Sequence, residues 1–179
     1  MAGPSIIAAL RVELIDVLTH DGAFTGQVKS REEIHRDGDW HRAAHLWLAT
    51  PDGRVLLQRR AAQKDSWPLL WDVSVAGHVA AGESAYDAAV REAREELGIE
   101  VSRLEHLGTL RFQALLRGGA YVENELHDVF LARQELDLGA LTLDPEEVAE
   151  VALVRPDEVE RLDVVPHPES YALLRAVLR

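Results

Sequence analysis

Cysteine is absent from the 179-residue chain, which excludes disulfides, thiolate zinc sites and a cysteine nucleophile. Positive charge is scarce. Nineteen lysines and arginines stand against 31 aspartates and glutamates, a net charge of -12, so most of the surface repels nucleic-acid phosphates. No apolar run approaches the length of a membrane span. Residues 1–11 lack the basic leader and longer apolar stretch of a secretory signal. The expectation is a soluble cytoplasmic protein, monomer or homodimer, that binds neither nucleic acid nor membrane. Repeats, low-complexity tracts and linkers are also missing, and the length suits one domain over 1–179. With 47% hydrophobic residues the chain has enough apolar material for a sizeable core. Its surplus carboxylates, if gathered in one place, suit a hard divalent cation.

Alternation and turn residues predict an N-terminal hairpin over 11–28, with strands at 11–18 and 24–28 around His20-Asp21-Gly22. The charged segment 29–42, broken by Asp37-Gly38-Asp39, reads as a loop. A second hairpin follows, with strands at 43–49 and 55–58 around Pro51-Asp52-Gly53. An irregular stretch carrying Trp67, Pro68 and Trp71 returns to a short strand near 73–76, and further strands fit 107–115, 121–133 and 149–154. Ser84 and Gly98 bracket a helix over 85–97 as N-cap and left-handed terminator. Pro156 opens another predicted helix, and 169–178 a last one whose Tyr171, Leu174 and Val177 share a face. Mixed strands with few helices indicate the α/β (α+β) class, an α/β/α sandwich with a mixed central sheet.

The segment 77–99 carries the chemistry: Gly77, Glu83, Arg91-Glu92-Ala93, then Glu95-Glu96-Leu97-Gly98-Ile99. On a helix, Glu92, Glu95 and Glu96 fall on one stripe because positions three and four apart are neighbours. Ala89, Ala93, Tyr86, Val90 and Leu97 form the adjacent predicted buried arc. Three carboxylates so close repel one another, and a divalent cation relieves that repulsion. Glu83, one residue before the cap, reaches the same cluster, and Gly77 suits a backbone that must approach a ligand closely. A pair of glutamates alone would be an ordinary solvated helix face. The whole spacing is more specific than that.

This pattern resembles the box of the Nudix hydrolase family: Gly, five residues, Glu, seven residues, Arg-Glu, an apolar residue, any residue, Glu-Glu, any residue, Gly and an apolar residue. Every position is met, with Ala93 and Ile99 in the apolar places. The resemblance implies a hydrolase of a nucleoside diphosphate derivative or related small-molecule diphosphate that uses Mg²⁺ or Mn²⁺. In it Glu92, Glu95 and Glu96 would hold metal with the Gly77 carbonyl, and Glu83 is counted in the same metal-binding set. One glutamate would orient or deprotonate the attacking water, and Arg91 would hold the glutamates in place.

A second likeness spans roughly 35–133. His41-Arg42-Ala43, Leu56-Leu57-Gln58-Arg59-Arg60, Lys64, Trp67-Pro68, Gly77-His78 and Glu123-Asn124-Glu125 resemble type 1 isopentenyl-diphosphate isomerase, a Nudix relative. The likeness implies a histidine and glutamate metal site, with His41, His78, Glu123 and Glu125 on matching positions and His35 one residue nearer His41 than the pattern has it. Two departures weigh against isomerase activity. Ala76 stands where the isomerase has cysteine, and the hydrolase box is intact where isomerases tend to have lost it. A Nudix-like module that binds without chemistry ranks third. Arg59, Arg60 and Lys64 either clamp a diphosphate, as guanidinium forks match phosphate oxygens, or end a solvated hairpin. His106, His127 and His167 read as surface or hydrogen-bonded residues, and the tryptophans as packing.

Overall fold

The computed structural model describes residues 12–178; Arg11, the first residue of the predicted hairpin, lies outside them. A two-stranded sheet, β1 (Leu14–Leu18) and β2 (Phe24–Ser30), is followed by α1 (Arg31–Asp37). The main sheet contains β3 (His41–Ala49), β4 (Val55–Arg60), β5 (Trp71–Asp72), β6 (Val75–His78), β7 (Glu105–Leu116), β8 (Tyr121–Arg133) and β9 (Val148–Val154). Helices α2 (Ala85–Leu97) and α3 (Pro168–Val177) complete the chain. The strand order is β5-β4-β3-β8-β7, with β6 also on β3 and β9 on β4. β3 runs parallel to β8, and the other pairs in this sheet are antiparallel.

The two faces of the sheet follow the two-residue period of a strand. Leu46, Leu48, Leu56 and Phe130 face one way and pack with Ala88, Ala89, Ala93 and Leu97 of α2. Trp47, Ala49, Leu57, Val129 and Leu131 face the other and pack with Tyr171 and Leu174 of α3. Burial on both faces is why β3 reads as a nearly unbroken apolar run. Helix α3 therefore covers the core with its predicted face, and Trp47 Nε1 donates to Ser170 Oγ at 3.2 Å. Ser84 caps α2 by accepting from the Asp87 N–H, and Gly98 ends it at φ 65°. Tyr86, placed by periodicity in the buried arc, is 40% exposed, and Ala88 is buried in its stead. Among the described residues no helix is long and apolar enough to cross a membrane.

Two predicted elements are corrected. The supposed loop at 29–42 contains α1, seven residues long, with a reciprocal capping box between Ser30 and Glu33 and Gly38 closing it. Its only buried apolar residue is Ile34, so the hydrophobic period was too short to register, although the Ser-x-x-Glu cap was legible. Ser30→Ala is expected to lower stability by about 1 kcal/mol, with the denaturant midpoint falling and the slope unchanged. The helix predicted from Pro156 is only a 3-10 turn, Val159–Arg161. The chain there is drawn off to pair with β5: Trp71 N–H donates to Asp163 O at 2.9 Å, and Val165 N–H to Trp71 O at 2.8 Å.

Candidate functional site

The parallel register sets His41 opposite Glu125 and Ala43 opposite His127. Alternate residues of a strand share a face, so His41, Ala43 and His45 stand beside Glu123, Glu125 and His127. Of these, Ala43, His45, Glu123 and Glu125 line a cavity of about 350 Å³. Strand β6 contributes Ala76, Gly77 and His78, helix α2 contributes Glu92 and Glu96, and the β4–β5 connection contributes Lys64, Asp65, Ser66 and Trp67. Nine carboxylates line the cavity against three cations, Arg31, Arg60 and Lys64.

On the α2 side, Gly77 and Glu92 interlock. A Cβ on Gly77 would lie 2.2 Å from Glu92 Cδ, so the missing side chain is what lets the carboxylate lie against the strand. Burial raises the Glu92 pKa, with neighbouring Arg91 opposing. Glu96 is 3% exposed, and burial, then Glu92 and Glu147, push its pKa well above the carboxylate range. Gln58 Nε2 donates to Glu96 Oε2 at 3.1 Å. Arg91 gathers the group: it donates to Glu83 at 2.8 and 2.9 Å, to Glu92 Oε1 at 2.6 Å, to Glu95 Oε2 at 3.1 Å and to the His78 carbonyl at 3.0 Å. Hydrogen bonding to Glu83 leads the causes that raise the Arg91 pKa. Of the predicted acidic set, Glu92 and Glu96 line the cavity. The Glu95 side chain is 59% exposed and points away, and Glu83 accepts from Ala80 N–H at 3.0 Å and reaches the others through Arg91.

A second donor group reaches the cavity through His78 and Glu125. His35, His41, His78 and Glu125 each offer one ligand atom, all within 4.8 Å of one another. Each histidine has Nδ1 against an oxygen: the Val122 carbonyl at 3.0 Å for His35, the Asp39 carbonyl at 3.0 Å for His41 and Glu13 Oε1 at 3.1 Å for His78. An Nδ1–H donated to oxygen leaves the Nε2 lone pair bare, which is how outer partners orient metal-binding imidazoles. The inward atoms crowd together, with His35 Nε2 3.2 Å from His78 Nε2 and His41 Nε2 3.4 Å from Glu125 Oε1. His41 Nε2 is buried without a hydrogen-bond partner. Burial opposes protonation of His78, but its partners Glu125 and Glu13 raise its pKa to about 9. Burial lowers His35 to about 4. Both groups fit a divalent cation, the first by carboxylates at a glycine cradle and the second by converging imidazoles with an unsatisfied nitrogen.

The basic trio separates. Arg60 lines the cavity, 3.0 Å from Asp72 Oδ2 and bonded to Ser66. Lys64 lines it too, paired with Glu147. Arg59, next in a strand, points the other way, to the Leu69 carbonyl and Glu150. We expect Arg59→Ala to leave kcat/KM within about twofold. Arg60→Ala would strand buried Asp72 and lower stability on the order of 3 kcal/mol; turnover assays and denaturant melts would separate the two.

Sequence reasoning missed several residues that line the cavity or hold its lining side chains. Glu123 accepts from Trp67 Nε1 at 3.0 Å, so Trp67 is a wall of the cavity. His127, read as a lone histidine, is buried and bonded to Glu125 Oε2 at 2.6 Å. Its period-two spacing from Glu123 and Glu125 was the available signal. Glu13, Gln58 and Glu147 carried no pattern.

The family model of the NUDIX domain matches residues 39–174. Nudix hydrolase 3 of Arabidopsis thaliana is 41% identical over 151 residues, covering 82% of this chain but only 20% of that protein's length. An isopentenyl-diphosphate Delta-isomerase of Nocardia farcinica is 40% identical over 140 residues, covering 78% of this chain and 77% of that protein. Among solved structures, a protein of Deinococcus radiodurans superposes with a TM-score of 0.70 at 22% identity, covering 93% of this chain and 100% of that one.

Proposed function

The chain belongs to the Nudix family, and from that premise we propose that it hydrolyses the diphosphate linkage of a small organic diphosphate with Mg²⁺ or Mn²⁺. The observation that carries this reading is a pair of glutamates, half-buried Glu92 seated on Gly77 and buried Glu96 bonded to Gln58, turned into one cavity. Arg91 already pairs with Glu92, whereas buried Glu96 faces the charges of Glu92 and Glu147, a crowding that a cation in the cavity relieves.

Glu92, Glu96 and the Gly77 carbonyl would hold the cation, which when bound neutralises charge on the diphosphate and acidifies a water. Water adds to one phosphorus, the bond from that phosphorus to the bridging oxygen breaks, and the second phosphate leaves with that oxygen. A carboxylate of α2 takes the water proton. Arg91 is a positioning residue: its bonds to Glu83, Glu92 and Glu95 keep the glutamates at one spacing. Arg60 and Lys64, both lining the cavity, present positive charge to the phosphates. Pyrophosphohydrolase assays with each metal across nucleotide sugars, dinucleotides, nucleoside triphosphates and prenyl diphosphates test the proposal; no turnover of any would overturn it.

The His35, His41, His78 and Glu125 group favours a second reading, isomerisation of isopentenyl diphosphate. Against it stands Ala76, which lines the cavity with a methyl group and cannot move a proton. Incubation in D₂O decides the matter, since isomerisation places deuterium in the recovered prenyl diphosphates and hydrolysis does not.

A further inference from the structure

Beyond the two cation-binding groups the cavity has a third end, and its chemistry differs. His45, at 3% exposure, and His167, at 7%, both line it. Their rings lie 4.9 Å apart between centroids. Phe112 lies 4.7 Å from the His167 ring, and Val165 completes the wall. His127 stacks on His45 at 3.9 Å but has its own partner in Glu125. His45 Nδ1 and His167 Nδ1 are buried with no hydrogen-bond partner among the described residues. Asp72 Oδ1 is 3.7 Å from His167 Nε2, and Glu125 and Arg60 act on both rings with opposite signs.

Buried polar atoms normally find partners, and two orphaned imidazole nitrogens beside one cavity point to a ligand. Neither ring suits an anion. Burial holds the His45 pKa well below its ordinary value and that of His167 at about 4, so both are neutral, each with one donor and one acceptor. A hydroxyl has the same pairing capacity. A hydrocarbon would leave both nitrogens unpaired and their desolvation uncompensated.

We propose that this end of the cavity is a subsite for an uncharged, hydroxyl-bearing group, with His45 and His167 as its hydrogen-bonding residues and Phe112 and Val165 as its apolar wall. Resting on the hydrolase reading, it names the substrate class: a compact polyol or sugar diphosphate in preference to a prenyl diphosphate. A cavity of about 350 Å³ is near the lower end of the roughly 300–1,000 Å³ range of small-molecule sites, which favours a small group.

The test uses two monoesters of methylenediphosphonate, which resist hydrolysis: the 2,3-dihydroxypropyl ester and the isobutyl ester, titrated into the full chain with Mg²⁺ by calorimetry. The wild-type protein is expected to bind the dihydroxypropyl ester about tenfold or more tightly. His45→Phe and His167→Phe should each bring the ratio toward one, while His45→Gln, which keeps a donor and an acceptor, should restore part of it. Thermal melts identify any variant that fails to fold, and the other histidine then carries the comparison. Equal or tighter binding of the isobutyl ester, no binding of either ester, or an undiminished ratio in the folded phenylalanine variants would overturn the subsite. Turnover of the corresponding hydrolysable esters is read separately. A binding preference without turnover would remove the hydrolase and keep the subsite, and turnover without preference would do the reverse.

Discussion

Glu96→Gln is expected to reduce kcat by about 10³-fold or more while leaving the protein folded. The carboxylate is one of two on α2 that face the cavity, and taking away its charge removes both a cation ligand and electrostatic support for the transition state. Stability should stay within about 1 kcal/mol of wild type. Burial already favours the neutral carboxyl in the metal-free protein, and the Gln58 amide can donate to an amide oxygen as it does to the acid. The two proteins should part on addition of cation. At a hundred times Kd the wild type gains about 2.7 kcal/mol, seen as a rise in Tm, and the variant gains less. Full turnover in the variant would remove Glu96 from the mechanism.

Gly77→Ala is expected to cost about 10²-fold in kcat/KM for a different reason. The new methyl would occupy the place of the Glu92 carboxyl, 2.2 Å from Cδ and 2.3 Å from Oε1. The obstructing atoms are the end of a side chain and not backbone, so the strand persists and the carboxylate moves. Overpacking of this kind costs about 1–3 kcal/mol, and a displacement near 1 Å at a reacting centre accounts for the activity loss. A melt and a turnover assay check both parts. An unchanged rate would show that Glu92 does not need its seat on the strand.

The box helix was legible because several local rules agreed on it. Ser84 and Gly98 marked its ends, alanines and Leu97 its buried side, and the glutamate spacing its function. Periodicity also placed Glu92, Glu95 and Glu96 on one stripe, but not how far that stripe turns toward the sheet; packing against β3 and β6 left Glu95 outside. Arg59 and Arg60 show the same gap. Both were candidates for the diphosphate, but adjacent strand residues face opposite ways, and which one points inward depends on the register of β4 against β9, with its irregularity between these two residues. The histidines were hardest. His41 and His78 stood out only through a family likeness, and His127 and His167 not at all, because burial of a polar ring depends on partners distant in sequence. The predicted α/β/α sandwich with a mixed sheet was sound, and its two misread segments were short pieces where a cap or a strand edge outweighed periodicity.

The side-by-side run of β3 and β8 also sets an order of events. Gly77, Glu92 and Glu96 lie within one stretch of chain, whereas His41 and Glu125 of the second group face each other across a ladder whose strands are far apart in sequence. Closing such a distant pairing is slow compared with forming a local helix. A ribosome releasing this chain would expose the first acidic group well before Glu123 and Glu125 emerge, so the cavity gains its floor last and the two halves of its chemistry mature at different moments of synthesis.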